Sequence, residues 1–288
     1  MTRVPILMYH SVTDTPNDDT KPHAVRPSDL AEQLAYLKES GFTPLTLGDL
    51  VAALNKNNGR SMPDKPIVVT FDDGYADFHS HALPLLDRYN FPATVFLTSG
   101  WVSDAGKEAA GRPLDDMLSW GQAREAAQTG IEIGGHSHSH PQLDQLRIED
   151  LRQELRRNKG LLEEKIGAPV ATMAYPYGYS SARVRREVRK AGYFAACAVS
   201  NTIAADRHDM LAIPPVDGRQ GHDHQHVQAR RRRHRRTSHL PARAHPHQGV
   251  RGRAQDEVRA AAGARKCLGS GRGSSPICAT RCSGRATR

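Results

Sequence analysis

Ile67-Val68-Val69-Thr70-Phe71-Asp72-Asp73-Gly74 is the stretch on which the reading of this chain turns. Ile67–Phe71 is short and apolar, the composition of a parallel strand buried on both faces. It runs directly into two carboxylates and a glycine. Six further runs have the same character: Val4–Tyr9, Thr43–Leu45, Thr94–Thr98, Ile131–Gly134, Ala171–Tyr175 and Phe194–Val199. Helical patterns lie between them. Ser28 is placed to cap a helix with Leu30, Leu34 and Leu37 on one face, stopped by Gly41. Ser119 precedes a run that ends at Gly130. Ile148, Leu151, Leu155 and Leu162 stripe a helix ending before Gly167, and Ala182–Ala191 is closed by Gly192. Repeated strand–helix alternation predicts an α/β fold with a parallel sheet.

The polar residues decide between an open sheet and a barrel. Asp72 and Asp73 come directly after one predicted strand. His136, His138 and His140 come after a second, Pro176-Tyr177-Gly178 after a third and His10 after a fourth. In parallel α/β architectures the carboxyl ends of the strands share one face, where active sites are built. Seven candidate strands fit a barrel or a large open sheet, and four converging clusters favour the barrel. The chain's 288 residues accommodate a barrel of about 200 to 250.

Charge divides the chain in two. Its net charge is +9, yet residues 219–288 hold 17 Lys and Arg against 3 Asp and Glu, and residues 1–218 carry a net −5. The basic pI therefore belongs to the tail, and nucleic acid is not an expected partner of the core. The tail contains Arg230–Arg233 and has no Phe, Tyr or Trp. Such a segment buries too little apolar area to offset its chain entropy. It reads as a disordered basic arm, a linker or, preferred on its Arg/Ala/Gly/Pro/His mixture, an out-of-frame translation of a GC-rich gene. The expected organisation is a catalytic domain over 1–218 and a low-complexity tail over 219–288. Cys197 reads as a small core residue. Cys267, Cys278 and Cys282 lack metal-ligand spacing. No apolar run approaches the roughly 18 residues of a membrane span. Met1–His10 turns polar too soon for a signal peptide. The chain is expected to be cytoplasmic unless an export signal is missing from this reading of the gene.

His136 and His140 are four apart, so one helical turn or a tight loop aims both at one ion. Neutral imidazoles suit zinc, cobalt or nickel, and a carboxylate completes a catalytic two-His site. Either Asp72 or Asp73 can supply it. Alone, His-Ser-His-Ser-His is a polar loop and Asp-Asp-Gly a turn. Together, at strand ends, they point to a metal site. Two buried carboxylates repel each other, and a cation beside one relieves the conflict, leaving the other free as a base.

Thr70-Phe71-Asp72-Asp73-Gly74, His136-Ser137-His138-Ser139-His140-Pro141 and Ala174-Tyr175-Pro176-Tyr177-Gly178 resemble, in order and rough spacing, three motifs of the polysaccharide deacetylases. These are the NodB-homology domains of carbohydrate esterase family four. The resemblance covers about residues 4 to 216 and implies a distorted (β/α) barrel. Carried over by position, it implies Asp72 as general base, Asp73, His136 and His140 as metal ligands, and the Tyr177 N–H as an oxyanion donor. His138 receives no role. Leu7-Met8-Tyr9-His10 has the form of the family's late acid motif but comes first, as in the circularly permuted branch of poly-N-acetylglucosamine deacetylases. His10 would then be the acid. Two departures stand out. Ala174 occupies the place of an Arg that orients the base, and Pro214-Pro215 stands where related chains commonly read Pro-Arg and continue.

The resemblance implies a divalent metal, Zn2+ first and Co2+ or Ni2+ as alternatives, and an acetylated amino-sugar polysaccharide as substrate. Metal-assisted water would attack the acetamide. Two rivals keep the same residues: an O-acetyl esterase or small-amide hydrolase, and a catalytically impaired polysaccharide-binding protein. Tyr75, Trp101 and Trp120 are candidates to stack on sugar rings, although Trp more often serves the core.

Overall fold

The computed structural model describes residues 3–54, 61–198, 204–205 and 209–218. The basic segment 219–288 lies outside the described residues. All seven expected strands form: β1 (Ile6–Tyr9), β2 (Thr43–Leu45), β3 (Pro66–Phe71), β4 (Thr94–Leu97), β5 (Glu132–Gly135), β6 (Thr172–Ala174) and β7 (Ala195–Cys197). An eighth, β8 (Val216–Asp217), comes after Pro214-Pro215. Every pairing among these eight is parallel. The sheet runs β7-β6-β5-β4-β3-β1-β8, with β2 paired to the first half of β3.

One short segment bridges the two ends of this path. Ile213 N–H donates to Ala196 on β7 (2.9 Å), and Ala198 N–H donates back to Ile213 (2.9 Å). Three residues later, Val216 pairs with Leu7 on β1. Both edges are thereby occupied, as a curled sheet requires. Pro214 and Pro215 lack the N–H that a ladder needs, and they sit where the chain passes from one edge to the other.

Strand residues alternate between two apolar compartments. Ile6, Val68, Phe96, Ala174 and Cys197 point inward and pack with Ile213 inside the curl. Leu7, Val69, Phe71, Val95 and Met173 point outward to the helices. This double burial is why the strands read as continuous apolar runs. Cys197 is a core residue, as expected.

Among the described residues, α1 (Pro27–Glu39), α3 (Leu83–Tyr89), α4 (Trp120–Gln128), α5 (Ile148–Ile166) and α6 (Ala182–Lys190) cover the outside, while α2 (Leu47–Leu54) packs Leu47 and Leu50 against the inner cluster. Ser119 closes a reciprocal capping box with Gln122. Gly167 ends α5 in the left-handed conformation. Ser28 is not a cap. Pro27 starts α1 with its fixed φ, and Arg26 is the capping residue. Helices α2 and α3 have no counterpart among the helices expected from sequence. Start signals are nonetheless present: Thr46 Oγ1 accepts from Asp49 N–H (3.0 Å) ahead of α2, and α3 carries a proline in its first turn.

At the amino-terminal end of the strands, a carboxylate ties the sheet to α2. Glu132 accepts from the hydroxyls of Thr94 and Thr172 (2.8 Å each) and from Gly48 N–H (2.9 Å) at the first turn of α2. Negative charge is favoured at a helix N-terminus. A methyl group on Gly48 would lie 2.9 Å from this carboxylate and would push it from its present place. Glu132→Ala leaves two buried hydroxyls and a partly buried N–H without their acceptor. It is expected to lower unfolding stability by at least about 2 kcal/mol in urea titrations, whereas Glu132→Gln loses less.

Candidate active site

The opposite end of the sheet gathers the polar residues that interrupt the strand pattern. Asp72 continues the β3–β1 ladder by one bond, its N–H donating to Tyr9 (2.9 Å). Asp73 then turns into the left-handed region at φ 74°, and Gly74 adopts φ 87°. A side chain on Gly74 would strike Leu97 at 2.5 Å, so the glycine is required for space as well as conformation. His136 comes directly after β5, with its N–H donating to Leu97 (3.0 Å). The residues from His136 to His140 form a loop rather than a helical turn, because Ser137 (φ 63°) and His140 (φ 61°) are left-handed. Ser137 Oγ accepts from His140 N–H at 3.0 Å and closes this loop.

Asp73, His136 and His140 converge. Asp73 Oδ1 lies 3.2 Å from Nε2 of each histidine. The potential ligand atoms all fall within 4.8 Å of one another, the only such cluster of three among the described residues. His136 Nδ1 sits 2.9 Å from the carbonyl of Ala174 and must carry a proton to bond it. A neutral His136 ring therefore presents a bare Nε2 lone pair to a carboxylate oxygen. Burial lowers the proton affinity of His136, which favours that neutral form. Two acceptors at 3.2 Å repel unless a cation lies between them. The donor set thus fits a small divalent ion.

Asp72 and Asp73 are both buried, with opposite proton affinities. Burial, followed by the Asp73 charge, pushes Asp72 well above the usual carboxylate range. Burial also raises Asp73, but its close neighbours His136 and His140, with His10, override it and hold Asp73 well below that range. Asp72 Oδ1 has no hydrogen-bond partner among the described residues. The missing arginine has no substitute there. Ala174 faces the apolar interior with Phe96 and Cys197, so the space beneath Asp72 is uncharged.

His10 belongs to the same electrostatic group. Burial lowers it to about 4, opposed by the Asp73 carboxylate, while His23 and His136 lower it further and Asp217 opposes them. The His10 and His23 rings lie 5.0 Å apart. His23 escapes a reading from sequence, since nothing local marks a histidine in a one-turn 3-10 helix. The Tyr177 ring lies 4.9 Å from His140 and is 56% exposed. Its backbone is left-handed at φ 59°. Nearby in sequence, Tyr179 is also exposed. Trp101 packs 4.6 Å from His140 and is buried with Tyr75 and Met117. Trp120 is a core residue at the start of α4 and does not reach the site. His138 is buried, with Nδ1 3.0 Å from Ser99 Oγ.

Four of the five left-handed non-glycine residues among those described are Asp73, Ser137, His140 and Tyr177. Each costs about 1 kcal/mol or more. Backbone strain is therefore concentrated where side chains must be aimed. The raised proton affinity of Asp72 has its own consequence for stability. A carboxyl whose folded pKa exceeds its unfolded value is increasingly unfavourable to folding as pH rises above the unfolded value, about 4. Metal-stripped Asp72→Asn is accordingly expected to be more stable than wild type at pH 7. The two should converge as pH falls toward about 4, as measured by chemical denaturation.

Residues 59–196 match the polysaccharide deacetylase family. YxkH of Bacillus subtilis, named for that family, is 27% identical over 74% of this chain and 71% of its own length. The poly-beta-1,6-N-acetyl-D-glucosamine N-deacetylase of Escherichia coli K12 is 28% identical over 65% of this chain. The present chain spans only 32% of that relative. The Streptococcus pyogenes deacetylase PplD, solved in complex with acetate, superposes with a TM-score of 0.67. It covers 75% of this chain and 92% of its own at 24% identity, a likeness of fold. With the curled parallel sheet, the strand-end Asp pair and the two-histidine loop, these matches place residues 59–196 in likeness to the polysaccharide deacetylase family.

Proposed function

We propose that the chain is a metal-dependent N-deacetylase of an amino-sugar polysaccharide. The substrate class is taken from the Escherichia coli relative, whose name specifies poly-beta-1,6-N-acetyl-D-glucosamine. One observation carries the metal dependence: the bare Nε2 of His136 facing Asp73 Oδ1 at 3.2 Å, with Nδ1 committed to Ala174. Asp73, His136 and His140 would hold the ion, with Zn2+ first and Co2+ or Ni2+ also suited to this donor set. A bound divalent ion supplies Lewis acidity, lowering the pKa of a water and polarising the acetamide carbonyl.

The protein's own groups account for the proton movements. Asp72, next in sequence to Asp73 and free of any protein partner on Oδ1 among the described residues, takes a proton from the attacking water. Its high proton affinity makes it an effective base once ionised, a state that an ion held by Asp73, His136 and His140 would favour. The water oxygen bonds to the acetamide carbon. The carbonyl oxygen becomes an oxyanion, which the Tyr177 N–H stabilises; one such donor contributes about 3 to 4 kcal/mol. When the C–N bond breaks, His10 donates a proton to the nitrogen, because an amine anion cannot leave. Acetate and a free amine result. The low proton affinity of His10 makes it a strong acid once protonated. The Asp73 and Asp217 carboxylates are the groups that draw a proton to it.

Two variants test this assignment. Asp72→Asn is expected to retain Zn2+ by elemental analysis while losing at least about 100-fold in kcat for acetate release from N-acetylglucosamine oligomers. Zinc-loaded wild type that releases no acetate from any acetylated glycan would sink the enzyme reading. His10→Ala is expected to lose about 100-fold or more on the same amide. It should lose far less on 4-nitrophenyl acetate, whose leaving group needs no proton. Equal losses on both substrates would remove His10 from the acid role.

A further inference from the structure

Helix α5 sends two polar residues, one turn apart, into the His136–His140 loop. Glu154 Oε2 accepts from the N–H groups of His138 (2.9 Å) and Ser139 (2.8 Å), and Oε1 accepts from the Ser139 hydroxyl (2.6 Å). Asn158 is fully buried. Its Nδ2 donates to the carbonyls of Ser137 (2.7 Å) and Leu97 (3.0 Å), and its Oδ1 accepts from the Tyr193 hydroxyl (3.0 Å). A methyl group on Gly135 would lie 2.4 Å from Asn158 Oδ1, so that glycine leaves room for this approach. The loop thus shares four hydrogen bonds with one helix. It has no regular structure of its own, and Ser137 and His140 are held in a conformation their side chains disfavour.

We propose that Glu154 and Asn158 are positioning residues that hold the two-histidine loop in its left-handed, ion-receiving form before any ion binds. The inference rests on the proposed metal site. Both imidazole directions depend on the backbone between residues 136 and 140. Without the clamp, that backbone relaxes toward right-handed or extended conformations and the two Nε2 atoms no longer share a point with Asp73. Glu154 fixes the middle of the loop through two successive amides. Asn158 fixes its start and ties it to the end of β4, whose Leu97 carbonyl also receives the His136 N–H. Groups that orient metal ligands from outside commonly change metal affinity by about 10- to 100-fold when removed.

The test is a Co2+ titration of the metal-stripped full chain, read by chelator competition and by the visible spectrum of the bound ion. Glu154→Ala is expected to weaken Co2+ binding by about 10- to 100-fold and to alter the spectrum. Glu154→Gln keeps an acceptor for the two amides and should stay close to wild type. Asn158→Asp removes the donor while preserving shape, and it should behave like Glu154→Ala. In the metal-free protein, amide exchange at His138 and Ser139 should accelerate in Glu154→Ala and not in Glu154→Gln. If Glu154→Ala does not fold, Glu154→Asp and Ser139→Ala carry the same comparison. Wild-type affinity and spectrum in Glu154→Ala overturn the positioning role alone. Failure of wild type itself to bind Co2+ overturns the metal site, and the positioning role with it.

Discussion

Asp73 meets two imidazoles at one point, and most of the surrounding architecture exists to make that meeting possible. Adjacent residues of a strand point to opposite faces, so Asp72 and Asp73 could not both serve one site from a regular β3. The left-handed turn at Asp73, φ 74°, breaks the alternation immediately after the strand ends. Gly74 then lets the chain pass against Leu97. Parallel pairing brings the ends of β4, β5 and β6 to the same level, with Gly135 opposite Met173 and Leu97 opposite Gly135. The Ala174 carbonyl is then in place to fix the tautomer of His136.

The interior beneath the site is as important as its ligands. Ala174, Phe96 and Cys197 surround it with apolar atoms. Low polarity strengthens every charge interaction above it and separates the proton affinities of two neighbouring carboxyls. A family arginine at position 174 would have supplied a fixed positive charge. Here burial and the Asp73 charge determine the state of Asp72, so its tuning depends on what occupies the cluster next to it. At the other end of the sheet, Glu132 satisfies three donors and anchors α2. The two ends divide the work: one is fully satisfied, while the other keeps an unpartnered oxygen and strained backbone.

Much of this is legible in the order of residues. Seven strands are visible because burial on both faces leaves continuous apolar runs. The site is visible because polar residues interrupt those runs at their carboxyl ends. Other features leave weak traces. Asn158 falls on the stripe Leu151, Leu155, Leu162 of α5, where a polar residue in a buried row is a signal of its own. Trp120 is a candidate for sugar stacking on its residue type alone, and its place at the start of α4 puts it in the core, where Trp more often serves. The last strand is obscured by two prolines, whose missing N–H groups suit a crossing between edges rather than an interruption of the fold.

The sequence by itself determined the fold class, the face that carries the chemistry and the residue types gathered there. Those depend on periodicity and on the residues just past each strand, which are local properties. The resemblance already implied that Asp73 rather than Asp72 joins the histidines; tertiary structure alone decided that nothing replaces the arginine at Ala174 among the described residues and that α5 grips the two-histidine loop. These depend on contacts between residues far apart in the chain, set by sheet register and helix docking. No local pattern encodes such contacts, because the same short motifs would read identically on a sheet with a different register.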